Sequence, residues 1–151
     1  MSRINQIEEK LRQIEGGCFQ TLASQYLFRR YSLDNCVNYG SNFGTDKTTT
    51  GVPDMYSTKD GKFFFAAFTT STSNIKNKLL SDARDCFNVS KTNVNLSNIE
   101  RVVLCHTTPR LDPSIIVEVQ NIDPRIEIIG PETIAEDLDK KYASLAFLTL
   151  G

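Results

Sequence analysis

This sequence predicts an α/β domain with a mixed sheet of about five strands flanked by helices. Three observations predict it. A Pro53-Asp54-led hairpin pattern spans residues 53–70, with Asp60-Gly61 as the turn dipeptide. Val102-Val103-Leu104-Cys105 is a continuous apolar run, suited to a strand covered on both faces. Beyond residue 73, strand patterns alternate with helical ones, as they do in crossover units.

Taken in order, Ile4, Ile7, Leu11 and Ile14 recur at three- and four-residue steps, which describes one helix face. Gly16-Gly17 interrupts the pattern, and Phe19, Leu22, Ala23, Tyr26 and Leu27 resume it. The reading is two helices, or one sharply kinked at the glycines. Arg29-Arg30 closes the second as a solvated, dipole-favoured helix end. Asn35–Tyr39 forms a first strand, followed by a polar loop from Gly40 to Gly51 that carries Lys47. Met55–Thr58 and Phe63–Thr70 are the hairpin arms, the second rich in aromatics and threonine. Ser73 or Asn74 caps a helix with Ile75, Leu79, Ala83 and Phe87 inside. Asn88–Asn98 reads as a polar connection, and Arg101–Thr107 as the next strand. Asp112-Pro113 has the chemistry of a helix start, with Ile115, Ile116 and Val119 on its apolar side. Ile126–Ile129 makes a short last strand. Gly130-Pro131 then turns into a helix carrying Ile134, Leu138 and Tyr142. Leu148-Thr149-Leu150-Gly151 is an apolar segment that stops abruptly, and the expectation is that a longer protein continues beyond it.

At 151 residues the chain fits a single domain, large enough for a real core. Its formal net charge of −1 gives no bulk attraction to nucleic acid, so any DNA contact requires a local basic patch. Cys18, Cys36, Cys86 and Cys105 are widely spaced without a C-x-x-C. That excludes a zinc knuckle and suits reduced, buried thiols in a cytoplasmic protein. No apolar run reaches the ~20 residues of a membrane span, and the N-terminus lacks a signal peptide's apolar region. The expectation is a cytoplasmic protein with no membrane partner. His106 follows Cys105 directly; neighbours on a strand face opposite ways, so the two cannot act as base and nucleophile. A structural hydrogen bond is the role expected of His106.

A resemblance adds to this reading. Pro53-Asp54 followed by a hydrophobic strand resembles the PD-(D/E)XK, restriction-endonuclease-like nucleases. Further similarity lies in Glu15-Gly16-Gly17-Cys18-Phe19-Gln20, Gly40–Thr48, Gly51–Asp54, Phe68-Thr69-Thr70 and Leu145–Gly151. Together these look like the nuclease-type N-terminal effector domains of bacterial anti-phage STAND NTPases, over nearly the whole chain. The resemblance implies a restriction-endonuclease-like fold and Mg²⁺- or Mn²⁺-dependent cleavage of DNA. It also implies a C-terminal NTPase module as partner. No P-loop G-x-x-x-x-G-K-[ST] occurs, so this segment itself is not expected to hydrolyse nucleotide.

The family's hydrophobic strand carries an acidic residue and, two positions on, a lysine. In this chain those positions are Ala67 and Thr69. Asp54 therefore matches, while the second carboxylate and the lysine do not. Metal-assisted phosphodiester cleavage needs hard oxygen ligands and a nearby cation. Asp54 supplies one carboxylate, and Glu15, from the helix that packs near this site in the family, is the expected second ligand. Lys47, Lys62, Lys76 and Lys78 are open replacements for the lysine. Thr69 would orient water or phosphate, and Lys47, Gln20 and Thr70 would contact the substrate. Ala67 fits both natural degeneration and a substitution made to silence a toxic nuclease. The competing expectation is a catalytically dead module for protein interaction or homo-oligomerisation, with Asp54 a plain turn residue.

Overall fold

The computed structural model describes residues 2–38, 53–70 and 73–150. The fold is mixed α/β, as expected: one five-stranded sheet flanked by helices, with strands in sequential order. Strand β1 (Val37–Asn38) pairs antiparallel with β2 (Met55–Lys59), and β2 antiparallel with β3 (Lys62–Thr69). Strands β3, β4 (Ile99–His106) and β5 (Ile126–Ile129) run parallel to one another. The hairpin turn has positive φ at both Asp60 (54°) and Gly61 (76°). That is the type I′ geometry whose twist matches the strands it joins.

Side-chain alternation divides the core in two. Phe64, Ala66, Val103, Cys105 and Ile129 face one side, with Met55 of β2. Helices α1 (Arg3–Gln13), α2 (Gly16–Arg30), α6 (Pro131–Lys140) and α7 (Ala143–Leu150) cover that side. Phe65, Ala67, Val102, Leu104 and Ile126 face the other, under α3 (Ile75–Cys86) and α5 (Pro113–Gln120). Both parallel connections, β3-α3-β4 and β4-α5-β5, thus cross the same face. Leu79, Leu104, Leu138 and Ile134 are essentially fully buried. Each such side chain contributes roughly 1.5–3 kcal/mol of hydrophobic transfer energy.

The N-terminal pattern resolves into two helices, and the glycines are not the break. Ile14 and Glu15 are extended, while Gly16 and Gly17 form the first turn of α2. Ser2 caps α1, its hydroxyl accepting from the Asn5 N–H at 3.2 Å. The described part of the first strand is Val37–Asn38, against the expected Asn35–Tyr39. Asn35 has a left-handed backbone (φ 52°) that interrupts extension, and Tyr39 lies outside the described residues. The expected polar connection at 88–98 contains a one-turn helix α4 (Val89–Thr92), capped by Asn88, and a 3₁₀ turn over Leu96–Asn98. Asn at the cap and at the left-handed Asn93 end supply those signals, which polarity alone obscures. The closing apolar segment forms α7, a further helix not expected from the sequence.

Arg30 is not a free helix end. Its guanidinium meets Asp137 at 2.8 Å and Glu127 at 3.4 Å, and donates to the Tyr26 hydroxyl at 2.9 Å. The Tyr26 hydroxyl also bonds Asp137. Among the described residues no helix is long and apolar enough to cross a membrane.

Candidate functional site

Asp54 stands immediately before β2, at the end of the sheet where the parallel strand β3 finishes. Ligand sites in α/β sheets favour this carboxyl end. The pairing Met55↔Ala66, continued by one residue, sets Asp54 opposite Ala67. Asp54 Oδ2 accepts from the Phe68 N–H at 2.8 Å, which ties its carboxylate to the C-terminal end of β3. Ala67 is buried among Phe65, Leu79 and Ala83, beneath α3.

Helix α3 brings a carboxylate that sequence reasoning passed over. Asp82 is buried, and its Oδ1 accepts from Lys78 Nζ at 3.0 Å, one helical turn away. Asp82 and Lys78 both act electrostatically on Asp54. Burial pushes the Asp54 carboxyl above the usual carboxylate range. The Phe68 hydrogen bond pulls it down, the Asp82 charge pushes it up, and the Lys78 charge opposes that rise. Burial likewise raises Asp82, against the bond and charge of Lys78. Both carboxylates also bear on the Cys86 thiol, whose proton burial holds tightly. Two desolvated carboxylates and one lysine therefore act on one another electrostatically at this end of the sheet. The signal in the sequence was an aspartate beside the inner stripe Leu79–Ala83, four residues after a lysine.

Of the lysines left open, Lys78 is the one, among the described residues, whose charge acts on Asp54. Lys76 pairs with Glu118 at 3.0 Å, and Lys62 sits at the far, hairpin end of β3, donating to the Ser97 carbonyl at 2.9 Å. Lys47 lies outside the described residues. Glu15 is exposed at the N-cap of α2, and the charged neighbours that shift Asp54 are Asp82 and Lys78 rather than Glu15.

Thr69 is buried and pairs in register with His106 of β4, and the half-buried Thr70 follows it. Gln20 is buried on α2, and its amide nitrogen has no hydrogen-bond partner among the described residues. It shares a helix face with Ser24, whose hydroxyl lies 3.2 Å from Met55 Sδ. Phe19 meets Phe68 edge-on, with ring centroids 6.4 Å apart. The start of α2 thus packs at the same end of the sheet as Asp54.

His106 has the structural role expected of it: Nδ1 accepts from the Thr108 N–H at 3.1 Å. Burial lowers its pKa to about 4, so the ring is neutral. Cys86 and Cys105 are buried as expected, whereas Cys36 is partly exposed and Cys18 exposed.

Among the described residues, no group of three or more His, Cys, Asp and Glu side chains could hold a metal ion. A pair of carboxylates does fit Mg²⁺, which characteristically takes one or two carboxylates and keeps several waters. No protein-family model, curated protein or solved structure matches the chain.

Proposed function

We propose that this chain is a Mg²⁺- or Mn²⁺-dependent DNA-cleaving domain, with Asp54 and Asp82 as its carboxylates and Lys78 as its cation. The observation that carries this reading is the electrostatic coupling of Asp54, at the end of the sheet, to the Asp82–Lys78 ion pair of α3. In this reading Asp82, reaching in from α3, stands in for the carboxylate that Ala67 lacks. Lys78 likewise replaces the motif lysine that Thr69 lacks. A divalent ion at the pair, when bound, supplies stabilisation of charge on a phosphodiester. Asp54 and Asp82 would hold it. Lys78 Nζ, held by Asp82 at 3.0 Å, presents positive charge to a phosphate oxygen, and Thr69, at the end of β3, and Thr70 after it would contact water or phosphate. The sequence resemblance supports DNA as substrate and a role as effector of a bacterial defence NTPase.

Plasmid cleavage in Mg²⁺ or Mn²⁺ tests the reading, using the native chain, Asp54→Asn, Asp82→Asn and Lys78→Met. Weak nicking by the native chain, lowered at least ~100-fold in each aspartate variant, is the expected outcome. Cleavage that survives Asp82→Asn in a folded protein would reject the assignment. If neither the native chain nor a folded Ala67→Glu variant cuts DNA, the cluster is a buried ion pair and the domain an interaction module.

A further inference from the structure

A second site lies at the opposite end of the sheet, about 16 Å along β2 from Asp54 at ~3.3 Å per residue. There a cavity of about 280 Å³ opens between the α2–β1 connection and the hairpin. That is just under the ~300 Å³ at which small-molecule sites begin. Its walls include Tyr31, Ser57, Lys59, Lys62, Glu100 and Arg101.

Three features distinguish it from an ordinary surface dent. Lys59 and Lys62 are direct cross-strand partners, so two like charges stand on one face of the hairpin end. Such a pairing destabilises a sheet unless an anion lies between the charges. Neither lysine has a carboxylate partner among the described residues; Lys62 reaches only the Ser97 carbonyl. Second, the β3–β4 register slips between Phe63 and Phe64, which pair with Ile99 and Arg101, leaving Glu100 as the extra residue. The slip lets neighbours Glu100 and Arg101 both line the cavity, which strict alternation would forbid. Third, the Tyr31 ring is held in place by Arg101 at 5.3 Å, Arg30 at 5.5 Å and Phe64 at 5.1 Å.

We infer that this cavity binds a phosphomonoester carrying a nucleoside-like body. The paired lysines take the dianionic phosphate. The half-buried Tyr31 ring, backed by the buried Phe64, bounds the space for a planar ring, and the Glu100 carboxylate accepts from hydroxyl or amino groups of the body. Free mononucleotides and the 5′-phosphorylated end of a nucleic acid both present this chemistry. The inference is independent of Asp54, which lies at the opposite end of β2.

Calorimetric titration of the full chain tests it. The probes are the four nucleoside monophosphates, the matching nucleosides, inorganic phosphate, and a short oligonucleotide with and without a 5′-phosphate. At least one monophosphate should bind, with its nucleoside at least ten-fold weaker. Lys59→Ala/Lys62→Ala should lose at least ten-fold in affinity while its melting temperature holds or rises, because the like-charge pair is gone. Competition by the 5′-phosphorylated oligonucleotide, but not by its unphosphorylated form, would support the inference and assign the phosphate to a nucleic-acid end. No binding of any monophosphate at millimolar concentration would overturn it. So would unchanged affinity in the double variant, or inorganic phosphate binding as tightly as the monophosphates. If the double variant fails to fold, Glu100→Gln takes its place, and unchanged monophosphate affinity there overturns the inference equally.

Discussion

Ala67 shows how one methyl group shapes the chemistry around it. Its position, opposite Asp54 in register and 5 % exposed, is enclosed by Phe65, Leu79 and Ala83. A carboxylate there would be desolvated and would join two carboxylates whose pKa values burial already raises. Ala67→Glu should therefore melt lower than the native chain in EDTA and regain stability in Mn²⁺, because an ion that binds only the folded state stabilises it. Identical melting in EDTA and in millimolar Mn²⁺ would show that position 67 does not reach the pair. His106 supports a prediction of its own. Its folded pKa, about 4, lies below the ordinary ~6.5, so the unfolded chain binds the extra proton between those values. The stabilisation from keeping the ring neutral is complete above pH ~6.5 and is lost as pH falls toward 4, by up to about 3 kcal/mol. Asp54 and Asp82, both raised, contribute in the opposite sense: their stability is greatest when protonated and declines as pH rises through their folded pKa values. Comparing denaturant midpoints of the native chain and His106→Gln across pH 4–7 isolates the histidine, and equal slopes would refute the assignment.

At the scale of elements, the β2–β3 hairpin sets both ends of the molecule. One end carries Asp54 against Phe68, and the other carries the Lys59–Lys62 pair. The turn between the lysines needs positive φ at Asp60 and Gly61. A Cβ on Gly61 would meet nothing within 4 Å, so the cost of Gly61→Ala is conformational and not steric. We expect a loss of roughly 1–2 kcal/mol with the fold retained, measured by chemical denaturation. A stability unchanged from native would mean that the turn adopts another geometry at no cost. Helix α3 is the other decisive element. The helix that buries Leu79 and Ala83 also carries the buried Asp82, whose charge acts on Asp54, so one amphipathic element both packs the sheet and furnishes the candidate site.

For the whole molecule, stability should be highest along β3 and β4, which are paired on both edges and covered by helices on both faces. Amide hydrogen exchange should accordingly be slowest over Phe64–Phe68 and Val102–Cys105, and fastest at β1, an edge strand with two described residues. Fast exchange along Val102–Cys105 would contradict this layering. The strands, their mixed arrangement and most helices were legible in the sequence because periodicity, caps and turn residues act over a few neighbouring positions. Ile126–Ile129 was read to the residue, as was the Asp-Gly turn. The weak elements were not: α4, the 3₁₀ turn and α7 are short or uniformly apolar, and carry little periodic signal. Asp54 was legible too, from the Pro-Asp that opens the hairpin. Its partners were not, because Asp82 and Lys78 lie more than twenty positions away in the chain and belong to a helix whose local pattern speaks only of packing. Likewise, the sequence shows two lysines flanking a turn, but the register alone places them side by side, with a slipped strand exposing Glu100 beside Arg101. Local sequence fixes what each segment becomes. Which charges meet is decided by long-range packing, since desolvation and Coulomb interactions depend on distance in space and not along the chain.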